Sequence, residues 1–334
     1  MNVRTDGIRA LVSDLGVPGA SLYVVAPTLE LDHGIAHGVS DVSSLETLSV
    51  DSPLRVASNT KTFVALAFAR LSTREEIDLD ESIAESLPGP LRNALEPVYD
   101  VRSISLRHLL THSSGLRCHT DDPRFLQSIL SNPHKLWTRE EQVRRAVELG
   151  EPLHPPGREA YYSDTGYVIL GGILEKLSGQ SLGAALRSLV DYGRLGLHDT
   201  WFERQETPTS STPRARQYSG DLDATDWDPS MDLFGGGGLV STVRDLAHFF
   251  VSLGEMPELS VLRSTPVDRA STELRAGVFE RVLSGRTVFG HAGYWGTVAQ
   301  VVPERSLAVA AAVTQRDAAK RLQELVDAVT EELI

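Results

Sequence analysis

Hydrophobic residues recur with the spacing of β-strands near both ends of the chain. Residues 20–26 are typical of a strand, and residues 29–39 of its partner across a turn near Pro27. Similar patterns near the C-terminal end predict strands at 287–293, 297–302 and 306–314. Amphipathic helices are predicted at 8–15, before the first strand, and at 317–333, after the last one. Strands at both ends, with helices between them, predict a sheet domain interrupted by a helical insertion.

Between these ends the pattern turns helical. A Ser-capped helix is predicted over 104–116, stopped at Gly115. Three further helices are predicted at 140–149, 167–178 and 243–253. The polar stretch 201–228 predicts a long surface loop placed to cover a cleft. The fold class is therefore α+β, with a discontinuous sheet domain (1–57 and 230–334) and a mainly helical domain (58–229).

One short stretch carries candidate chemistry. Ser58 and Lys61 are three residues apart at the start of an apolar helical run, so they lie one turn apart on the same face. A nearby Lys can take the proton of a Ser hydroxyl and make it a nucleophile. The alternative is a helix-capping Ser beside a solvated Lys, but a solvated Lys rarely sits inside so apolar a run. The spacing therefore favours acyl-transfer chemistry.

Composition limits the partners. The chain of 334 residues has a net charge of −13, which argues against a nucleic acid or an anionic membrane as partner. Its single cysteine, Cys118, excludes an internal disulfide. No secretory signal and no apolar run of membrane-spanning length is visible, so a cytoplasmic location is expected. Nothing in the sequence predicts an oligomeric state.

Three other candidate sites have structural alternatives that we favour. His33 and His37 share a predicted strand without a third metal ligand nearby, so packing or surface roles are expected. His112, at a predicted helix end, is expected to bond local backbone groups. The run Gly235–Gly238 lacks the Lys-Ser/Thr of a phosphate loop, so close backbone packing under a site is expected.

Two further segments complete a set with Ser58-x-x-Lys61. Tyr162-Ser163-Asp164 places a phenol and a carboxylate in a loop between helices, and His291-Ala292-Gly293 lies on a predicted strand. The set resembles the Ser-x-x-Lys, Tyr-x-Asn and Lys/His-x-Gly motifs of the serine β-lactamase and penicillin-binding-protein superfamily. Within it, the chain is similar to the branch of class C β-lactamases, D-alanyl-D-alanine carboxypeptidases and esterases. The resemblance extends over nearly the whole chain, including residues 17–20, 109–116, 237–246 and 290–293.

The resemblance implies an antiparallel sheet flanked by helices, a large helical insertion, and an active site in the cleft between the two parts. It implies that Ser58 attacks a carbonyl while Lys61 and Tyr162 move its proton. The backbone amides of Ser58 and Tyr294 would form the oxyanion hole, and an acyl-enzyme would follow. No metal and no organic cofactor is implied.

Two departures from the family pattern bear on the substrate. Asp164 stands where Asn is usual, and an ionised carboxylate can only accept hydrogen bonds, so it should either hold Lys61 as an ammonium or prefer a substrate group that donates hydrogen bonds. Ala292 stands where a hydroxyl often helps to hold a substrate carboxylate, and His291 is mostly uncharged at neutral pH. Gly293 is expected to let the substrate approach the strand backbone closely. Together these residues predict a substrate without that carboxylate.

The sequence therefore predicts a cytoplasmic serine hydrolase that cleaves a small ester, amide or thioester. An acyltransferase that passes the acyl group to an amine or alcohol shares the same intermediate and is the first alternative. A D-amino-acid-specific peptidase or β-lactamase is the second. A non-catalytic binding protein is disfavoured because Ser58, Lys61 and Tyr162 are all present.

Overall fold

The computed structural model describes residues 3–264 and 273–334; residues 1–2 and 265–272, which fall inside the predicted sheet domain, lie outside them. The strands are β1 Gly19–Ala26, β2 Leu31–Gly38, β3 Leu54–Arg55, β4 Trp201–Phe202, β5 Tyr218–Ser219, β6 Leu222–Asp223, β7 Leu239–Ser241, β8 Phe279–Leu283, β9 Arg286–Gly293, β10 Thr297–Val302 and β11 Leu307–Val313. The α-helices are α1 Val3–Ser13, α2 Thr60–Thr73, α3 Gly89–Leu95, α4 Leu106–Leu110, α5 Pro123–Ser131, α6 Arg139–Glu148, α7 Asp164–Ser178, α8 Leu182–Val190, α9 Tyr192–Leu195, α10 Val243–Glu255, α11 Leu259–Leu262 and α12 Ala319–Leu333.

Strands from both ends of the chain form one antiparallel sheet. Its order is β2-β1-β11-β10-β9-β8, so the first and last strands of the chain meet at its centre, where Ala20 pairs with Val313. The strand predictions for these segments, and the α+β class, are confirmed. The edge strand β8 is an addition that the hydrophobic pattern did not predict.

The central strands are apolar throughout because helices cover both faces of the sheet. Alternate residues of β11 enter different cores: Leu307 and Val309 pack on the side of α1 and α12, whereas Ala308 and Ala310 face the side of α10. The small alanines leave room for α10 to pack closely against the strands. The sheet is thereby fixed against the helical part of the chain.

Helix α2 lies at the centre of the helical part. Residues Thr60 to Ala69 are all buried, and Phe63 stacks on Phe249 of α10 with ring centroids 3.7 Å apart. The helix also contacts α7, α8 and α11. Because it is packed on all sides, α2 holds its first turn in a fixed position beside the sheet.

The segment 201–228 differs from the predicted surface loop. It contributes β4 to a small sheet with β3 and β7, and much of it is tied to the buried Arg55. The Arg55 guanidinium pairs with Glu203 at 2.8 Å and donates to the Ala224 and Trp227 carbonyls. The polar composition therefore reflects buried ion pairing as well as exposure.

The pairing of β4 with β7 also crosses the predicted domain boundary at 229/230, and the division into two domains stays a prediction.

The helix predicted over 104–116 is much shorter. Ser105 caps α4 as predicted, in a reciprocal pair with His108, but the helix ends at Leu110. Thr111 leaves the helical region and His112 has a φ of 60°, which turns the chain before Gly115 is reached.

Within the described ranges, no helix combines the length and the apolar character needed to cross a membrane.

Candidate active site

Ser58 lies in the short 3₁₀ helix Ala57–Asn59 that leads directly into α2. Ala57 has a φ of 45°, a left-handed conformation that costs a non-glycine residue about 1 kcal/mol or more. The preceding Val56 carbonyl holds it there by accepting hydrogen bonds from the Asn59 side chain and the Thr297 hydroxyl, both at 3.1 Å. The sheet residue Thr297 thus fixes the turn that presents the serine.

Lys61 is fully buried, and its ammonium has three acceptors. Its Nζ lies 2.9 Å from Ser58 Oγ, 2.6 Å from Asp164 Oδ1 and 2.6 Å from the Gly236 carbonyl oxygen. Burial alone would lower the pKa of Lys61, but the Asp164 carboxylate and the Tyr162 phenol outweigh it and raise that pKa. Three N–H donors facing three acceptors therefore hold Lys61 as an ammonium in the resting site.

Asp164 begins α7, which Ser163 caps. Burial acts to raise the pKa of Asp164, but the Lys61 ammonium and the nearby His119 bring it down to about 2. Its second oxygen accepts from the Thr120 hydroxyl at 3.2 Å. The positive end of the helix dipole also favours a carboxylate at this place. Asp164 is thus ionised, and both of its carboxylate oxygens accept hydrogen bonds from side chains of the protein.

Tyr162 lies between Lys61 and an aromatic stack. The Lys61 ammonium is 5.1 Å from its ring centroid, and the His112 ring stacks on it at 4.6 Å. Burial raises the pKa of Tyr162 to about 12, although Lys61 acts to lower it. The predicted local bonding of His112 is wrong in part: its Nδ1 accepts from the distant Ser163 amide at 3.1 Å, which places its ring against Tyr162.

Strand β9 passes beside this group. His291 is buried 6.1 Å from the Tyr162 ring, and burial together with Lys61 lowers its pKa to about 3, so it is neutral. A Cβ at Gly293 would lie 2.3 Å from the Val56 carbonyl oxygen and 2.2 Å from Thr297 Oγ1, so protein atoms already require the glycine; close approach of a substrate to the strand there stays a prediction. Ala292 is exposed on the strand and is not part of the cavity wall.

A cavity of about 300 Å³ opens beside Ser58. Ser58, Asp164 and Tyr294 line its polar side, so three of the predicted site residues meet there, while Lys61 lies beneath them. Aromatic and aliphatic side chains form much of the remaining wall, and His119, Thr120, Gln142, Asp232 and Gly236 complete it; the apolar residues are Phe125, Leu126, Ile129, Val168, Trp227, Met231, Leu233 and Trp295. As the second residue of a 3₁₀ helix, Ser58 has an amide without a partner inside that helix. The cavity is therefore shaped for an apolar acyl group next to a nucleophile.

Asp232 is a cavity residue that the sequence did not single out. Its half-buried carboxyl group lines the cavity and accepts no hydrogen bond from any residue in the described parts of the chain. Burial raises its pKa to about 7, against the lowering effect of Lys61. A lone Asp before the run Gly235–Gly238 carries no local pattern that marks it as functional. That run does pack closely, as predicted: Gly236 receives Lys61, and a Cβ at Gly235 would lie 2.6 Å from the Tyr167 carbonyl oxygen.

The described residues contain no group of three or more His, Cys, Asp or Glu side chains arranged to hold a metal ion. His33 and His37 lie on β2, away from the Ser58 cavity. Ser58, Asp164 and Asp232 supply a hydroxyl and two carboxyl groups to the cavity wall, and the Lys61 ammonium and the Tyr162 phenol lie behind Ser58.

Comparison with known proteins agrees with this geometry. The family model described as "Beta-lactamase" matches residues 6–333. The chain belongs to the β-lactamase family. This is the superfamily of serine hydrolases that the sequence motifs resemble, and the antiparallel sheet with its flanking helices is the fold of this family.

Individual relatives of this β-lactamase family member include different enzymes. The chain is 31% identical to penicillin-binding protein 4 of Amycolatopsis lactamdurans over 194 residues, 57% of this chain and 46% of that protein. It is 31% identical to esterase EstB of Burkholderia gladioli over 205 residues, 58% of this chain and 49% of that protein. The chain thus spans about half the length of these curated relatives. The solved D-amino acid amidase of Ochrobactrum anthropi SV3, in complex with L-phenylalanine amide, superposes with a TM-score of 0.81 at 25% identity, covering 99% of both chains.

Proposed function

We propose that this chain is a serine hydrolase that cleaves a small ester, amide or thioester through an acyl-serine intermediate. The observation that carries the proposal is the contact of Lys61 Nζ with Ser58 Oγ at 2.9 Å, beside a cavity large enough for a small acyl group. Membership of the β-lactamase family supports the same chemistry.

In the proposed reaction, Ser58 Oγ attacks the substrate carbonyl and its proton passes to the Lys61–Tyr162 pair. That pair must first lose one proton, because the resting Lys61 is an ammonium and the Tyr162 phenol has a pKa of about 12. The amides of Ser58 and Tyr294 stabilise the oxyanion, and the proton then moves to the leaving group. Water attacks the acyl-serine and regenerates the hydroxyl.

The substrate class follows from the charges at the cavity. Two carboxyl groups, Asp164 and Asp232, line it, and Lys61 is already matched by three acceptors. Neutral His291 and the methyl group of Ala292 offer nothing to an anion. Arg244, a candidate anion-binding group, instead pairs with Asp51 at 2.8 Å and stacks on Tyr23. We therefore propose acyl groups without a carboxylate, and the relatives named as an esterase and an amidase support ester and amide bonds as the bonds cleaved.

The test is intact-mass detection of the acyl-enzyme after mixing the purified chain with p-nitrophenyl esters, thioesters, amino acid amides and a cephalosporin. A mass increase equal to the acyl group, absent from Ser58→Ala, supports the proposal. The proposal is wrong if no compound adds mass, or if Ser58→Ala is acylated equally.

The acyltransferase alternative uses the same acyl-serine and differs in the acceptor. Adding amines or alcohols to the same reactions and measuring the ratio of transfer product to hydrolysis product separates the two. Cytoplasmic location stays a prediction, which fractionation of cells expressing the native gene would check.

A further inference from the structure

Asp232 places an unpartnered carboxyl group in the wall of the Ser58 cavity. Neither of its oxygens accepts a hydrogen bond from a residue in the ranges 3–264 and 273–334. The backbone of Gly237 lies close beneath it: a Cβ there would lie 2.5 Å from Asp232 Oδ1 and 2.6 Å from the Asp232 backbone oxygen, so glycine leaves space for both the carboxyl group and the main chain of Asp232. The fold thus makes room for a polar group that no protein donor uses.

The charges that face Asp232 are already committed to other partners. Lys61 is held by Ser58, Asp164 and the Gly236 carbonyl. Arg55, the other cation that acts on Asp232, pairs with Glu203. The negative charge that Asp232 gains on ionisation is therefore left for a ligand to balance.

Apolar side chains form much of the cavity that this carboxyl group lines, together with the polar residues His119, Thr120 and Gln142. Phe125, Ile129, Trp227 and Trp295 line the same cavity, and the two tryptophan rings meet edge to face at 6.1 Å. An ammonium bound by Asp232 would find aromatic faces nearby, which attract cations. A hydrocarbon or aromatic side chain on the same molecule would fill the remaining volume.

We propose that Asp232 is a specificity residue that binds a protonated amine on the acyl part of the substrate. The preferred substrates would be esters or amides of amino acids that carry a free ammonium and an apolar side chain. The assignment rests on the proposed hydrolase function and adds the chemical class of its substrate.

The charges around the Asp232 carboxyl group support this assignment. Burial raises the pKa of Asp232 to about 7, with Asp164 and Glu203 adding to the rise and Lys61 and Arg55 opposing it. A bound ammonium would favour the ionised carboxyl group and lower this pKa. Substrate would then supply the charge that the protein does not.

The test compares two methyl esters with the same carbon skeleton, phenylalanine methyl ester and 3-phenylpropanoic acid methyl ester, which lacks the amine. Both phenylalanine enantiomers are used, and product is measured by chromatography. The wild type should favour one or both amino esters in kcat/KM. Asp232→Asn should lower the ratio of amino to deamino kcat/KM at least about tenfold, chiefly through KM, because a hydrogen bond to a charged group is lost. Asp221→Asn removes the same charge from an exposed position outside the cavity and should leave the ratio as in the wild type.

Three results would overturn the proposal: a wild type that does not favour the amine, an unchanged ratio in Asp232→Asn, or an equal loss on both esters, which would mean a general catalytic role. Binding of phenylalanine amide to Ser58→Ala, measured by calorimetry with and without Asp232→Asn, answers the question separately from turnover. If neither ester is cleaved but the amide binds to Ser58→Ala and not to the variant that also carries Asp232→Asn, recognition of the amine by Asp232 holds while hydrolysis of these esters does not. Asp232→Ser replaces Asp232→Asn if the latter does not fold.

Discussion

Asp164 and Asp232 line the same cavity, and burial acts to raise the pKa of both carboxyl groups. Asp164 lies 2.6 Å from the Lys61 ammonium and accepts a second hydrogen bond from Thr120, and its pKa is about 2. Asp232 has no such partner, and its pKa is about 7. One fold therefore holds one carboxyl group as a fixed anion and the other near its midpoint at neutral pH.

The difference shows that a partner, rather than depth of burial, decides the state of a carboxyl group. Asp164 is committed to Lys61, so it sets the charge of the catalytic group. Asp232 is uncommitted, so it is available to a ligand. On the function and specificity proposed above, the two residues divide catalysis from recognition within a single cavity.

The largest expected effect tests whether the cavity is catalytic at all. Ser58→Ala removes the atom that Lys61 contacts, so hydrolysis of a p-nitrophenyl ester should fall by at least about 10⁴-fold. The circular dichroism spectrum should be unchanged, because the methyl group fits where the hydroxyl was. Activity within tenfold of the wild type would mean that Ser58 is not the nucleophile and that Asp164 and Asp232 do not line a hydrolase active site.

The next effect tests whether Lys61 and Tyr162 share one proton. Lys61→Ala and Tyr162→Phe should each lower kcat by about 10³-fold, and the double variant should lose little more than either single one. If the loss of kcat in the double variant equals the product of the two single losses, the residues act independently of each other.

Asp164→Asn tests the fixed carboxylate. Without its negative charge, burial lowers the pKa of Lys61, so the Lys61–Tyr162 pair loses its proton at lower pH. The rising limb of kcat/KM against pH should move down by at least about one pH unit. A limb that stays in place would show that Asp164 does not set the charge of Lys61.

The same change should reduce stability. Asp164 has a folded pKa of about 2, below its ordinary value of 3.8, so its contribution is present above pH 4 and is lost as the pH falls through 2. Since Asn keeps one acceptor for Lys61, we expect a loss of about 1–3 kcal/mol in the free energy of unfolding at pH 7, measured in urea.

Asp232→Asn tests the free carboxyl group with the opposite sign. Its folded pKa of about 7 lies above 3.8, so the wild type loses stability as the pH rises from 4 through 7. The Asn variant should be more stable than the wild type by about 1–2 kcal/mol at pH 8, after allowance for partial exposure, and the gain should shrink toward pH 4. Urea unfolding at several pH values measures this, with Asp221→Asn as the charge control. An advantage that does not vary with pH would refute a raised pKa at Asp232.

The smallest effect concerns Ala292, outside the cavity wall. Ala292→Thr adds a hydroxyl that can bond a substrate carboxylate, and it should raise kcat/KM for a cephalosporin by no more than about tenfold. Esters without a carboxylate should be unaffected. A cephalosporin that wild-type enzyme already hydrolyses better than every ester and amide would contradict the substrate class.

Much of this arrangement follows from patterns that are local in the sequence. Alternating and apolar runs marked β1, β9, β10 and β11, and the pair Ser58 and Lys61 had the spacing of one helical turn. The length of α4 was less predictable, because the left-handed turn at His112 depends on tertiary contacts, such as the hydrogen bond that the Ser163 amide donates to His112 Nδ1. The pattern across β8 is weak because that strand lies at the sheet edge, where most of its residues are only partly covered.

The recognition side of the cavity has no such local signal. Asp232 becomes distinctive only because distant segments place Lys61 nearby and Trp295 in the same cavity, and no described residue donates a hydrogen bond to its carboxyl group. Likewise, the polar residues of 201–228 do not reveal that Glu203 faces the buried Arg55. Both features are set by tertiary contacts, whereas the spacing of Ser58 and Lys61 is visible within four consecutive residues of the sequence.

The contact of Gly293 with the Val56 carbonyl has a consequence for recombining this enzyme with its relatives. Strand β9 and residues 56–59 fit each other atom against atom, with Thr297 bonded to the same carbonyl. A chimera that takes either segment alone from a relative with a bulkier residue at position 293 would push the nucleophile out of place. Crossover points should therefore keep β9, β10 and the first turn of α2 from one parent, together with the 201–228 segment that pairs with Arg55.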